Sequence, residues 1–180
     1  MTRFLVTTGA EASGKTTLAK QLSGALAAPL VTEASRDYLT TLYAKHPGYR
    51  YDESDLLHIA RLQLTRERQA QRGATPLLVC DTDLLVIVIW SEVVFGRCAP
   101  ALAKLFEDSL AHTERHYLLC DWRDVPWEPD PLRENPHDRD RLFVRYETKL
   151  VELELNYEVV SGTAAQRLQQ VLAEYHGKQA

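Results

Sequence analysis

Cysteine is scarce in this 180-residue chain, and the three present, Cys80, Cys98 and Cys120, have no CxxC spacing. An odd number so placed argues against a disulfide framework and against a zinc ribbon. Reduced thiols of this kind suit the cytoplasm, which is the expected location. Long apolar runs are missing too. The longest, "LLVIVIW" at 84–90, falls far short of the roughly 20 residues that span a bilayer, so no membrane span is expected. The "FLV" near the start is too short for the core of a secretory leader. A basic excess is also lacking: 21 Lys and Arg against 25 Asp and Glu leave a net charge of −4. That is the wrong sign for a duplex-binding protein, and no nucleic-acid partner is expected. No N-K-x-D guanine signature, internal repeat, low-complexity tract or linker occurs. A single domain over residues 1–180 is the simplest reading.

What is there is alternation. Strand-like segments "RFLVTT" (3–8), "PLVTE" (29–33), "LLVCD" (77–81), "HYLLCD" (116–121) and "YEVVS" (157–161) are separated by helical ones. The latter cover 14–27, "ASRDYLTTLYAK", "DESDLLHIARLQLTRERQAQR", about 83–95, 100–112 and 138–155, with a last helix after Gly162. Five strands alternating with helices define an α/β domain with a mainly parallel sheet. The continuous apolar run of "LLVCD" is that of a strand buried on both faces. Ligands of such sheets bind beyond the carboxyl ends of the strands. Ser13, Lys15, Thr16, Glu33, Asp81, Asp83, Asp121 and Ser161 all fall at those ends.

Residues 9–17, "GAEASGKTT", carry the chemistry. Gly9 to Thr16 match G-x-x-x-x-G-K-[ST] between a strand and a helix, the context that makes the match specific. Glycines let the backbone curl so that successive N–H groups face phosphate oxygens, and the following helix adds its positive end. Gly9, Ala10, Glu11, Ala12, Ser13, Gly14, Lys15, Thr16 and Thr17 are therefore expected to hold a nucleotide. Lys15 would reach the β- and γ-phosphates, and the Thr16 hydroxyl would bind Mg²⁺.

A second magnesium-directed acid should end a neighbouring apolar strand, and Asp81 of "LLVCDTD" does so, with Asp83 two residues on. Helix capping competes as an explanation for both. Glu33 ends the second strand, where a carboxylate can take an acceptor hydroxyl's proton or bond a sugar. Which of Glu33, Asp81 and Asp83 is the base stays open at this stage.

Half of the eight prolines lie in "WRDVPWEPDPLRENPH" at 122–137. No regular element can run through them, and a loop this long is expected to be a lid spanning about 122–141. Its arginines, Arg133 and Arg139 first, with Arg123 and Arg141 beside them, could stabilise transferring phosphoryl charge and exclude water. Arg66, Arg68 and Arg72 read as a solvated helix face. Trp90, Trp122, Trp127, Tyr38 and Tyr43 are candidates for stacking on a substrate base. Ser161 and Gly162 of "VVSGT" fall where adenine lies in such folds.

The blocks "GAEASGKTTLA", "VTEASRDYL", "DLLHIARLQ", "VCDTDLL", "WSEVVFG", "YLLCDWRDVPWEPDPLRENPHDRDRLF" and "YEVVSG" extend over nearly the whole chain. Together they resemble the ribosylnicotinamide kinase domain of the NadR type, within the P-loop kinase and AAA-like ATPase group. The resemblance implies a parallel sheet in the order 2-3-1-4-5 and transfer of the ATP γ-phosphate to the ribose 5′-hydroxyl of nicotinamide riboside. It implies ATP and Mg²⁺ at Gly14, Lys15 and Thr16, with Asp81 and Asp83 at the magnesium and acceptor end and the lid arginines closing over the phosphates. Longer bifunctional members carry a nucleotidyltransferase domain ahead of this one, so this chain is not expected to make NAD by itself. Ala12 replaces the first serine of the family's usual "GAESSGK". Kinases of other nucleosides, and an ATP-dependent regulatory module, are the competing expectations.

Overall fold

The computed structural model describes residues 2–73, 75–111, 113–132 and 137–177. Five parallel strands form one sheet: β1 (Arg3–Thr8), β2 (Leu30–Val31), β3 (Leu77–Asp81), β4 (Glu114–Cys120) and β5 (Tyr157–Val160). Their order is β2-β3-β1-β4-β5, as the resemblance implied. The helices are α1 (Lys15–Ala25), α2 (Ala34–Lys45), α3 (Glu53–Gln71), α4 (Leu84–Phe95), α5 (Pro100–Leu110), α6 (Arg139–Glu152) and α7 (Ala164–Gly177).

Strand alternation divides the core in two. Phe4, Val6, Leu78, Cys80, Tyr117 and Leu119 face α2 to α6, whereas Leu5, Leu77, Val79, Leu118 and Val160 face α1 and α7. Both faces are covered, which is why the strands read as unbroken apolar runs. Helix α3 starts on a capping box: Asp52 accepts from the N–H of Ser54 and Asp55, and the Asp55 carboxylate accepts from Asp52 N–H. The segment 29–33 is strand over two residues only, because Glu33 already caps α2. Register places Thr7 beside Asp81 and Thr8 beside Leu119, so β1, β3 and β4 end together and deliver their loops to one edge. Among the described residues, no helix is long and apolar enough to cross a membrane.

Candidate active site

The turn from β1 to α1 builds the site. Gly9 has φ 127° and Gly14 φ 84°, and a Cβ on Gly9 would lie 3.0 Å from the Cys120 carbonyl oxygen. Glycine is required there both for the dihedral and for the close approach to β4. Ala12 also adopts a left-handed conformation, φ 49°. Gly14 gives α1 no side-chain cap, so the first N–H groups of the helix stay open to an anion. Lys15 folds back over the loop, its Nζ donating to the carbonyls of Ala10 (2.6 Å) and Gly9 (3.1 Å).

Asp81 ends β3 beside this loop. Burial raises its pKa, against the hydrogen bond from Thr16, while the nearby charge of Glu33 raises it further. Its Oδ1 is buried with no hydrogen-bond partner among the described residues. A hydroxyl and an under-satisfied carboxylate at the mouth of a phosphate loop are hard oxygen donors that fit Mg²⁺.

Asp83 lies in the core. Its side chain is fully buried, accepting from Arg115 (3.0 Å), the Tyr117 hydroxyl (2.8 Å) and the N–H of Leu85 (3.0 Å). Arg115 is held on its other side by Glu67 at 2.6 Å and lies over the Phe4 ring. Asp83 does not line the cleft and caps α4 instead. The left-handed Thr82, φ 67°, turns the chain so that the two aspartates diverge.

The cleft runs from the loop to a far end lined by Glu33, Ser35, Arg36, Leu39, Trp90 and Tyr146. The Ser35 hydroxyl donates to Glu33 Oε1 at 2.5 Å and orients that carboxylate. Trp90 is pinned by its indole N–H bond to the Tyr51 hydroxyl (2.9 Å) and an edge contact with that ring. Burial, then the charges of Glu33 and Glu11, push the Tyr146 phenol well up. Tyr38 is occupied differently, donating to the buried Asp55 at 2.6 Å.

Arg139 reaches the phosphate loop. Its guanidinium lies 4.4 Å from the Trp122 ring centroid and 5.6 Å from that of Trp127, and it donates to Val125 O (3.0 Å) and Ala12 O (3.4 Å). Arg123 pairs with Asp121 at 2.7 Å, and Arg141 is exposed beside Asp138. Arg133 lies outside the described residues. Arg36 pairs with Asp130 of the proline-rich segment at 2.8 Å. Gly162, φ 87°, donates its N–H to Asp124, while Ser161 is exposed, and neither lines the cleft. Arg66 is more than a solvated face: it binds the carbonyls of Thr32 and Glu33 and the Asp37 carboxylate, bracing the turn that carries Glu33.

Sequence reasoning missed Arg167, which is 2% exposed on α7 and bonded to the phosphate loop. No local signal separates it from a solvated helix arginine. Ser35 was also passed over, although its hydroxyl two residues after Glu33 is a local capping pattern.

A family model described as an AAA domain matches residues 4–167. The chain belongs to that AAA-domain family. No curated protein sequence matches it. Among solved structures this AAA-domain chain resembles NadR protein in complex with NR at TM-score 0.73 and 17% identity, covering 98% of this chain and 52% of that one. The chain thus spans about half the length of that NadR protein. Thymidylate kinase from Ehrlichia chaffeensis matches at TM-score 0.69 and 14% identity, over 97% of this chain and all of that one. Deoxyadenosine kinase from M. mycoides matches at TM-score 0.63 and 12% identity, over 97% and 99% of the two chains. The shared property is the fold, a P-loop kinase sheet with helices on both faces.

Proposed function

We propose that this AAA-domain chain is an ATP-dependent kinase that phosphorylates the ribose 5′-hydroxyl of nicotinamide riboside to nicotinamide mononucleotide. The observation that carries this reading is one cleft joining the phosphate loop to a carboxylate, Glu33, and an aromatic wall, Trp90 and Tyr146. The nicotinamide ring of the riboside is cationic, and a cation over an aromatic face in a cleft with acidic groups is favoured by about 0.5–2 kcal/mol.

In the reaction the acceptor oxygen bonds to the γ-phosphorus as the bond to the β-phosphate oxygen breaks, leaving ADP. Glu33 takes the hydroxyl proton. Of the three acids it is the one both in the cleft and held by a neighbouring hydroxyl, whereas Asp81 sits against Thr16 and Asp83 is sealed in the core. Lys15 and Arg139 balance charge on the transferring group, and the lid keeps water out. Thr16 and Asp81 would hold Mg²⁺, which when bound neutralises phosphate charge. Catalysis comes from positioning and electrostatics.

A deoxynucleoside or nucleotide acceptor is the second reading, favoured by the likeness to thymidylate and deoxyadenosine kinases over their full lengths. Competition among nicotinamide riboside, cytidine, thymidine, deoxyadenosine and thymidine monophosphate for Mg-ATP decides between them. Preference for the cationic riboside that falls about tenfold or more in kcat/KM in Trp90→Ala supports the first reading. Preference for a neutral nucleoside or for the monophosphate replaces it.

A further inference from the structure

Arg167 is the buried charge that the transfer scheme leaves unused. From the first turn of α7 it reaches three main-chain carbonyls: Ser13 (2.7 Å), Asp121 (2.6 Å) and Gly162 (2.8 Å). The other buried arginine, Arg115, is neutralised by Glu67 and Asp83. Arg167 has no carboxylate within 4.0 Å among the described residues. Asp121, the nearest acid in sequence to its contacts, spends its side chain on Arg123.

A cation held inside a protein only by carbonyl dipoles is costly unless an anion shares the site. The position of Arg167 says which anion. A Cβ on Gly14 would lie 3.4 Å from its Nη1, so the guanidinium rests directly against the phosphate loop. The described chain has no cis peptide bond. In a trans peptide the N–H points opposite to the C=O. The Ser13–Gly14 peptide therefore turns its carbonyl to Arg167 and its N–H away from it, and the bond to a cation polarises that N–H as a donor.

We infer that Arg167 is a counter-charge to the nucleotide's phosphates, acting from behind the loop through the Ser13–Gly14 peptide without touching them. It is a positioning residue, and this inference rests on the reading that the loop binds a nucleoside polyphosphate. A mere tether would behave differently. Arg167 also holds the Asp121 and Gly162 loops, the second of which the sequence pattern assigns to adenine, so on that assignment a tether would support the adenosine end as much as the phosphate end.

The test is calorimetric titration of MgADP, and adenosine by displacement of MgADP, on the wild type, Arg167→Gln and Arg167→Lys. The glutamine variant is expected to lose about tenfold or more in MgADP affinity, with adenosine changed by less than about threefold. The lysine variant, which keeps the charge, should hold MgADP within about threefold of wild type. Equal losses for both ligands, an unaffected glutamine variant, or lysine as damaging as glutamine would overturn the inference. Where thermal melting shows Arg167→Gln to be unfolded, the lysine variant decides alone. MgADP affinity kept within about threefold of wild type in that variant upholds the counter-charge, and a loss of about tenfold or more overturns it. A wild type that binds no MgADP removes the phosphate-loop reading and this one with it, whereas failure of the variants alone removes only this one.

Discussion

Asp81 and Asp83 stand two residues apart and serve opposite ends of the physical balance. Asp81 is buried beside the phosphate loop with one oxygen unsatisfied, and burial raises its carboxyl pKa. The folded state then holds the Asp81 proton more tightly than the unfolded chain does. Ionising it costs stability at neutral pH, and that cost disappears as pH falls from the raised value toward the ordinary carboxylate range. Asp81→Asn is expected to raise Tm at pH 7 by about 2–4 °C, the gap closing in acid, while Mg-dependent phosphoryl transfer falls. Scanning calorimetry at neutral and acid pH beside a kinetic assay checks both signs. Asp83→Ala should do the reverse job. It strips Arg115 of a buried partner and should cost about 3–5 kcal/mol in urea unfolding. Glu33→Gln, which keeps the Ser35 bond and removes the base, should lower kcat about 10²–10⁴-fold with little change in stability. The first two residues looked alike in sequence. What separates them is a left-handed Thr82 and an arginine 32 residues away, neither visible in the local pattern.

At the scale of elements, far more could be read from the chain. The strand cores, the α3 start and the phosphate loop follow from local periodicity, capping residues and glycine dihedrals, all short-range properties. The capping box of α3 does not itself line the cleft, so Asp52→Ala should cost about 1 kcal/mol in urea unfolding and lower kcat/KM far less than Glu33→Gln does. The stretch "PLVTE" is strand at Leu30–Val31 alone, because Arg66 and the α2 cap take over the backbone that follows. The proline-rich segment announced a loop but not its tie. The Arg36–Asp130 pair joins residues 94 apart and is partly exposed, so it adds little to global stability. Its effect should appear in the lid: Asp130→Asn is expected to raise acceptor-free ATP hydrolysis relative to transfer, measured as ADP formed per phosphorylated product.

For the whole molecule, the parallel sheet gathers loops from β1, β2, β3 and β4 at one edge and makes a cleft from the phosphate loop to Glu33 and Trp90. The position of that cleft was legible because chain order and the rule of strand carboxyl ends place it. The buried arginines behind it were not, since Arg115 and Arg167 become buried only through partners distant in sequence. The most direct measurement of the central claim is a mass-detected assay with Mg-ATP and nicotinamide riboside, with neutral ribosides and Lys15→Ala alongside. Nicotinamide mononucleotide is expected in clear excess over other products, and to fall about 10³-fold or more in the Lys15 variant. ATP hydrolysis with no phosphorylated acceptor, or product formation that survives loss of Lys15, would contradict it.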